Sequence, residues 1–86
     1  MKHFVYILKC RDTSLYVGCT NNLEKRVKQH NNSKQGAHYT KIRRPVTLVH
    51  FETFTTLKKA RAREAELRGR NRKKTLDLVN NGEVDE

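Results

Sequence analysis

One acidic residue interrupts an otherwise apolar stripe on a predicted helix. Leu57, Ala60, Glu64 and Leu67 are spaced three, four and three residues apart, so they share one helix face that would pack on a sheet. An ionised carboxylate that leaves water must pair with a cation or bind a metal ion. The pattern therefore predicts two alternatives for Glu64: a metal ligand, or one half of a partly buried ion pair with an arginine from another element.

A second polar stripe lies on an earlier predicted helix. Asn22, Arg26 and His30 recur every four residues, which places an amide, a guanidinium and an imidazole on one face. A guanidinium stays charged at any working pH and offers a fork that matches two phosphate oxygens. Together with Glu64, this stripe has the groups that a phosphate site needs. The alternative is that Arg26 is solvated and His30 stabilises the last carbonyls of its helix.

Two tyrosines, Tyr6 and Tyr16, lie on strands that a turn-like segment joins into a hairpin. A two-residue loop at Asp12-Thr13 would place the tyrosines on different faces of the sheet. A three-residue loop shifts the register by one and brings both to one face as diagonal neighbours, about 7–8 Å apart. A site that uses both phenols therefore predicts an odd-length loop or a bulge. The alternative is that both rings are ordinary packing residues of a strand.

The elements that would carry these residues indicate a small α+β fold. Pattern and capping residues predict the order β-β-α-β-α-α, a three-stranded antiparallel sheet flanked by helices. Gly69 is expected to interrupt the last helical stretch. The predicted segments are strands 4–9, 15–19 and 46–51, a polar loop 33–44, and helices from 23 to about 32, from 57 to about 68 and from about 71 to 79. Residues 1–80 are predicted to form one domain, and the acidic residues 81–86 a disordered tail.

The charge balance indicates a polyanionic partner. Of 86 residues, 19 are Lys or Arg and 9 are Asp or Glu, a formal net charge of +10. Positive charge is densest in residues 58–74, where nine basic residues face two acidic ones, too few to pair with them. A solvated helix face is the alternative. The candidate nucleic-acid contacts are nine of the twelve basic residues in 41–74: Lys41, Arg43, Arg44, Lys58, Arg61, Arg68, Arg70, Arg72 and Lys73.

Several classes of protein are excluded by composition. The longest apolar run is 4–8, far below the roughly 20 residues that a membrane span needs. It is also too short for the core of a signal peptide. Two cysteines, Cys10 and Cys19, build neither a disulfide framework nor a four-ligand zinc site, and they lie too far apart on the hairpin to pair with each other. No membrane partner is expected, and a cytoplasmic location is the simplest expectation.

The ordered motifs resemble those of a known family. Val5-Tyr6-Ile7, then Tyr16-Val17-Gly18, then Arg26 ten residues after Tyr16 and Glu64 on a later helix resemble the GIY-YIG nuclease domain. The likeness is greatest to its small stand-alone bacterial members (YhbQ/YazA-like), which share a stretch resembling 38–40 and 43–46. It extends over about residues 4–79. The family fold, an antiparallel three-stranded sheet with flanking helices, agrees with the predicted elements.

The resemblance implies hydrolysis of DNA phosphodiester bonds with one divalent ion, Mg²⁺ or Mn²⁺. It implies Glu64 as the metal ligand, Arg26 as the phosphate contact, and Tyr6 and Tyr16 as the phenols near the attacking water. His30 matches a histidine of some restriction-enzyme members. Mg²⁺ binds through as few as one carboxylate plus waters and substrate oxygens, which is consistent with a single glutamate. The choice of Tyr6, Tyr16 or His30 as general base stays open at this stage.

Three positions depart from the family pattern: Val5 replaces a glycine, Cys19 a lysine of repair-type members and Leu76 an asparagine. The leading expectation is a metal-dependent DNA endonuclease of repair or processing. It would recognise branched, nicked or damaged DNA with little sequence specificity, or take its specificity from a protein partner. The alternative is a non-catalytic nucleic-acid-binding module with a degenerate nuclease site. A basic domain that docks on RNA or an acidic protein is a third possibility.

Overall fold

The computed structural model describes residues 2–32, 38–69 and 72–81. Its elements, in chain order, are β1 (His3–Cys10), β2 (Leu15–Thr20), α1 (Leu23–Asn32), α2 (His38–Lys41), β3 (Val46–Phe54), α3 (Leu57–Gly69) and α4 (Arg72–Asn81). The predicted tail from 82 onward lies outside the described residues. Within the described residues, no helix has the length and apolarity needed to cross a bilayer.

The three strands form one antiparallel sheet in the order β2-β1-β3, which confirms the predicted α+β fold. The central strand β1 is covered on both faces, because four consecutive side chains from Val5 to Leu8 are buried. Val5 and Ile7 of β1 pack in one cluster with three buried residues of α3 and α4: Ala60, Leu67 and Leu78. Tyr6, Leu8 and Cys10 pack on the opposite face with partly buried side chains of α1. Tyr6 and α3 therefore belong to different faces of the sheet.

A three-residue loop, 11–13, joins β1 to β2. The Cys10 amide donates to the Ser14 carbonyl at 2.9 Å, and the Thr13 amide donates to the Cys10 carbonyl at 2.9 Å. Thr13 has a φ of 69°, the left-handed conformation that usually closes a three-residue hairpin loop. Both cysteines are free. The odd-length loop, required if the two tyrosines share a face, is thus present.

The resulting register places both tyrosines on the same face. Tyr6 lies opposite Gly18, and Tyr16 lies opposite Leu8, so the tyrosines are diagonal neighbours. The face they share is the one covered by α1. The two-residue alternative, with Tyr6 opposite Cys19, is wrong.

Two caps set the starts of the longer helices. Asn22 Oδ1 accepts the Lys25 amide at 3.1 Å at the start of α1, and Thr56 Oγ1 accepts the Lys59 amide at 3.2 Å at the start of α3. Gly69 is the last residue of α3, at the point where the sequence predicted the interruption before the next helix. The Cβ of an alanine there would meet nothing within 4 Å.

The segment between α1 and β3 contains more structure than a polar loop. Residues 38–41 form the short helix α2, which the sequence analysis missed. At the end of this segment, the Asn31 side chain binds the first residue of β3. Its Nδ2 donates to the Val46 carbonyl at 3.1 Å, and its Oδ1 accepts a hydrogen bond from the Val46 backbone amide at 2.8 Å. These contacts join the end of α1 to the start of β3.

Candidate active site

The phenol of Tyr6 lies across the backbone of β2 at Gly18. An ideal Cβ on Gly18 would stand 2.3 Å from Tyr6 Oη and 2.4 Å from Tyr6 Cζ, far inside van der Waals contact. Only a glycine therefore lets this ring occupy its place. The Tyr6 side chain is 1% exposed, so neighbours other than Gly18 also confine it.

A buried hydrogen-bonded chain links Tyr6 to α1 and α2. The distance from Tyr6 Oη to His30 Nε2 is 2.8 Å, and the distance from His30 Nδ1 to Thr40 Oγ1 is 2.7 Å. His30 and Thr40 are both 0% exposed. Both ring nitrogens of His30 are therefore engaged, and the imidazole orients the Tyr6 hydroxyl. Thr40 is a site residue that the sequence analysis missed, because its helix α2 has too few residues to show a periodic pattern.

The expected alternative for His30, binding the last carbonyls of α1, is wrong. Arg44 has that role: its Nε donates to the His30 carbonyl, and its Nη2 donates to the Gln29 carbonyl at 3.2 Å. A cation at this end of a helix also stabilises the helix dipole. Arg44 was predicted to contact nucleic acid, and the structure gives its guanidinium a structural partner on α1.

The buried side chains of Tyr6 and His30 have strongly shifted pKa values. Burial, together with the charges of Arg26 and Arg44, lowers the pKa of His30 to about 4. Burial raises the pKa of Tyr6 to about 12, although a hydrogen bond and the charge of Arg26 oppose that shift. At neutral pH the chain therefore consists of a neutral imidazole and a protonated phenol.

The shift of His30 predicts an acid-sensitive fold. The pKa of His30 is about 4 in the folded protein, and its ordinary value of 6.5 applies to the unfolded protein. As the pH falls, the unfolded protein therefore binds the proton first. The free energy of unfolding should then decrease by about 3 kcal/mol between pH 6.5 and 4. Urea denaturation at a series of pH values measures this slope. A His30→Gln variant should have a flatter profile over the same range, and equal slopes in both proteins would contradict the assignment.

Arg26 lies beside the Tyr6–His30 pair. The side chain is half-buried on α1, and its Nη1 donates to Gln29 Oε1 at 2.9 Å. Its hydrogen bond and charge favour the ionised form of Tyr6, and its charge disfavours protonation of His30. The Arg26 guanidinium is thus within electrostatic range of both groups. Arg26 and His30 lie on the same helix, as the four-residue spacing predicted.

Glu64 reaches the same place from the other face of the sheet. Its side chain is 17% exposed, whereas that of Glu66, two residues along the same helix, is 57% exposed. Glu64 Oε2 pairs with Arg68 Nη2 at 3.1 Å. The arginine partner therefore comes from the same helix and not, as the ion-pair alternative expected, from another element. The charge of Glu64 is close enough to Tyr6 to contribute to the rise in its pKa.

The edge strand β2 is where the two faces meet. Arg68 donates through Nη2 and Nε to the Val17 carbonyl at 2.8 and 3.2 Å, which fastens α3 to the free edge of β2. Glu64 is one helical turn before Arg68 and so lies at this edge. The Tyr6 hydroxyl lies over the same strand at Gly18. The charge of Glu64 contributes to the raised pKa of Tyr6 and, after burial, to that of Cys19, so the carboxylate is within electrostatic range of both side chains.

Tyr16 completes the aromatic part of the site. Its ring centroid is 5.2 Å from that of His30 and 5.8 Å from that of Tyr39. The Arg68 guanidinium carbon lies 5.8 Å from the Tyr16 centroid. Tyr16 is half-buried. The five residues predicted for catalysis lie on β1, β2, α1 and α3, and their role in catalysis stays a prediction.

The candidate nucleic-acid contacts divide into two groups. Arg43 and Arg68 already bind protein atoms: Arg43 Nε pairs with Asp12 Oδ2 at 3.1 Å and lies over the Tyr39 ring, while Arg68 binds the partners described above. Exposed side chains on the described surface form the second group, Lys41, Lys58, Arg61 and Lys73. Arg70 and the side chain of Arg72 lie outside the described residues. Contact of these residues with nucleic acid stays a prediction.

The donor set around Glu64 is compatible with a hard divalent cation. The described residues contain no cluster of three or more His, Cys, Asp or Glu side chains that could enclose a metal ion. Mg²⁺ does not need such a cage, because it keeps several waters and binds through one or two carboxylates plus substrate phosphate. Arg68 engages Oε2 of Glu64, and Oε1 is the carboxylate oxygen left to a cation among the described contacts. Glu64 is therefore the residue that would hold the ion.

Comparison with known proteins identifies the class. Residues 2–77 match the sequence profile of a protein family that is described as the GIY-YIG catalytic domain. The chain therefore belongs to the GIY-YIG family. Its domain is a nuclease catalytic domain whose members generally use divalent metal ions, so membership implies nuclease activity and a DNA substrate.

Within that family the chain is similar to the UPF0213 proteins. It is 52% identical over 81 residues to a UPF0213 protein of Staphylococcus saprophyticus, with 94% of this chain and 98% of the relative covered. It is 51% identical over 72 residues to the UPF0213 protein YazA of Bacillus subtilis, with 84% of this chain and 72% of the relative covered. The resemblance to YazA-like members is confirmed.

Two solved structures share the fold. The solution structure of a UPF0213 protein from Bacillus halodurans matches with a TM-score of 0.61 at 40% identity, covering 93% of this chain and 84% of that one. A solution structure of a protein from E. faecalis matches with a TM-score of 0.64 at 33% identity, covering 100% of this chain and 93% of that one. The arrangement of strands and helices is thus one found in other solved structures.

Proposed function

We propose that this chain hydrolyses phosphodiester bonds of DNA at the edge of β2 with one divalent ion, Mg²⁺ or Mn²⁺, held by Glu64. One observation carries the proposal: the Tyr6 hydroxyl is fixed by a buried, neutral His30 and lies within the electrostatic influence of both Arg26 and Glu64. A phosphodiester is a dispersed anion, and its hydrolysis adds negative charge in the transition state. A site with a guanidinium, a carboxylate-bound cation and a fixed hydroxyl suits that reaction.

The divalent ion would act as a Lewis acid that polarises a phosphoryl oxygen. Glu64 holds it through a carboxylate whose second oxygen stays paired with Arg68. Arg68 is also bonded to the Val17 carbonyl, so it remains in place when the carboxylate shifts. Arg26 binds non-bridging phosphate oxygens through its fork and orients the scissile bond.

Proton transfer is assigned to the Tyr6–His30 pair. The attacking water gives a proton to Tyr6 Oη while the phenolic proton passes to His30 Nε2. The resulting hydroxide forms the new bond to phosphorus, and the leaving oxygen takes a proton from solvent water as its bond to phosphorus breaks. This route avoids a free phenolate, which the pKa of about 12 for Tyr6 disfavours at neutral pH. The pKa of about 4 for His30 makes the imidazolium short-lived, so its proton returns through Tyr6 to water after hydrolysis. It requires the imidazole tautomer with the proton on Nδ1, donated to Thr40 Oγ1. Tyr16 lines the same site as the second phenol.

The biological role proposed is DNA repair or processing, with the DNA recognised by its structure or damage and with little sequence specificity. Exposed lysines and arginines on the described surface supply contacts to the phosphate backbone, which carry no sequence information. Specificity beyond that would come from a protein partner.

The test is an incubation of the purified protein with single-stranded, nicked and branched DNA. Cleavage is expected when Mg²⁺ or Mn²⁺ is present, and it should stop with EDTA and resume when the ion is restored. Salt-dependent binding without cleavage at any metal concentration would contradict hydrolysis and favour a binding module whose nuclease site is degenerate. The departures at Cys19 and Leu76 from the family pattern make that outcome the specific rival. A competition between DNA and structured RNA identifies the preferred nucleic acid.

A further inference from the structure

A cavity of about 360 Å³ adjoins the candidate active site on the outer side of β2. Its volume is within the range of small-molecule sites, roughly 300–1,000 Å³. The residues proposed to hold the ion, bind the phosphate and move the proton do not line it: Glu64, Arg26, Tyr6 and His30. The lining combines two aromatic rings with apolar side chains and polar groups: Tyr16, Tyr39, Val17, Leu67, Ser14 and Arg68.

The aromatic walls have the geometry of a stacking site. Tyr16 and Tyr39 are tilted by 32° with their centroids 5.8 Å apart, and Tyr39 is 36% exposed. The Arg43 guanidinium carbon lies 3.9 Å from the Tyr39 centroid, which holds that ring from outside by a cation–π contact. A base that stacks on such a ring is held by its π-face, whatever its identity.

The cavity is continuous with the proposed site of hydrolysis. Tyr16 is shared by both, because its ring lines the cavity and lies 5.2 Å from the His30 ring. Arg68 is shared as well, because it lines the cavity and pairs with Glu64 at 3.1 Å. A strand whose phosphate is near Glu64 therefore has its neighbouring nucleotide at the mouth of the cavity.

We infer that this cavity receives an unpaired nucleobase next to the scissile phosphate, so that the substrate is DNA with an unstacked nucleotide at that position. The inference rests on the proposed function and adds the substrate class to it. A base inside a matched duplex is stacked and paired and must be extruded before it can enter. The cost of extrusion is least for single strands, bulges and mismatches, which are therefore the favoured substrates.

The experiment measures equilibrium binding in EDTA, where cleavage is absent. A labelled single-stranded oligonucleotide, shortened to the least length that still binds so that it occupies one register, is compared with a series in which each base in turn is replaced by an abasic site. One position, or two adjacent ones, should lose affinity by roughly tenfold with the unaltered protein. This scan needs no variant and therefore does not depend on the folding of a mutant.

A double-mutant cycle then assigns the effect to the cavity. Tyr39→Leu should lower affinity for the intact oligonucleotide by a similar factor, about tenfold, and should cause no further loss on the sensitive abasic strand. Tyr39→Phe, which restores the ring, should recover the affinity. Phe51→Leu is the matched control, because Phe51 is also an exposed aromatic ring but lies on β3 outside the cavity.

The outcomes separate this inference from the proposed function. The base pocket would be overturned if the abasic scan showed no sensitive position. It would also be overturned if Tyr39→Leu and the abasic site lowered the affinity independently of each other, and either result would count even if DNA is cleaved. A coupled loss would support the pocket even if no cleavage occurs with any metal ion, and in that case only the hydrolytic proposal fails.

Discussion

Replacing Glu64 with glutamine is expected to reduce DNA cleavage by roughly a hundred- to a thousandfold, the loss typical of removing one charge-stabilising group from an active site. Glutamine keeps the shape of the side chain, and its oxygen still accepts a hydrogen bond from Arg68. It lacks the negative charge that holds a divalent cation. The loss is measured as the initial rate of cleavage of the best DNA substrate at saturating Mg²⁺.

Glu66→Gln is the matched control for this prediction. Glu66 lies on the same helix and forms an ion pair with Arg63 at 3.2 Å, but its side chain is 57% exposed. Its substitution changes the net charge by the same amount, so a general electrostatic effect on DNA binding would appear in both variants. Cleavage that persists in Glu64→Gln, or that survives both Glu64→Ala and Arg26→Ala, would show that the activity does not come from this site.

The second large effect is expected from Gly18→Ala. The new methyl group would overlap the Tyr6 ring, with 2.3 Å to Oη, so the phenol must leave its place and its hydrogen bond to His30 must break. Overpacking and a buried imidazole without its partner should together lower the free energy of unfolding by about 2–4 kcal/mol. Cleavage should fall by roughly a hundredfold or more, because the pair that receives the proton is separated.

Two further variants isolate this effect. Gly69→Ala adds the same methyl group at the end of α3, where nothing lies within 4 Å, and should leave stability unchanged or raise it by up to about 1 kcal/mol. Adding Tyr6→Leu to Gly18→Ala should recover part of the lost stability without recovering cleavage. Thermal unfolding and the cleavage assay supply both measurements. A Gly18→Ala protein with normal stability and activity would contradict the placement of Tyr6.

The sequence predicts the parts of this site that depend on periodicity. The apolar stripe of α3 singles out Glu64, and the four-residue spacing of α1 places Arg26 with His30. The requirement of a shared face for Tyr6 and Tyr16 predicts an odd-length loop, and the loop has three residues. Each of these is a local property of one helix or one hairpin, which is why a single sequence contains the information.

The remaining features depend on how the helices and strands pack against one another, and the periodicity of the sequence does not predict that packing. Tyr6 and Glu64 lie on opposite faces of the sheet, yet the charge of Glu64 acts on Tyr6. Both are near the edge strand β2, because the Tyr6 ring lies over Gly18 and Arg68, the partner of Glu64, binds the Val17 carbonyl. Thr40 reaches His30 from a four-residue helix that shows no pattern in the sequence. Arg44 is one of many basic residues in the sequence, and only the structure shows that it binds the end of α1.

The basic residues show the same difference between what the sequence predicts and what only the structure shows. Nineteen Lys and Arg residues indicate a polyanionic partner, and the structure shows that some of them also hold the protein together. Arg68 fastens α3 to β2, and Arg43 joins the hairpin loop to α2 through Asp12 and the Tyr39 carbonyl. Substituting these two would therefore affect stability together with DNA binding. Lys41, Lys58, Arg61 and Lys73 are the better residues for testing phosphate contacts alone.

Titration of the ¹⁵N-labelled protein with Mn²⁺, followed by NMR, most directly tests whether Glu64 holds a divalent ion beside Tyr6 and Arg26. Paramagnetic broadening at low ratios of Mn²⁺ to protein should begin at the backbone amides of Glu64, Tyr6 and Tyr16 and at Nε of Arg26, and it should vanish there in Glu64→Gln. Broadening confined to the acidic residues after Gly82, or centred on Glu66, would show that the ion binds elsewhere and would contradict a metal-dependent nuclease site at the edge of β2.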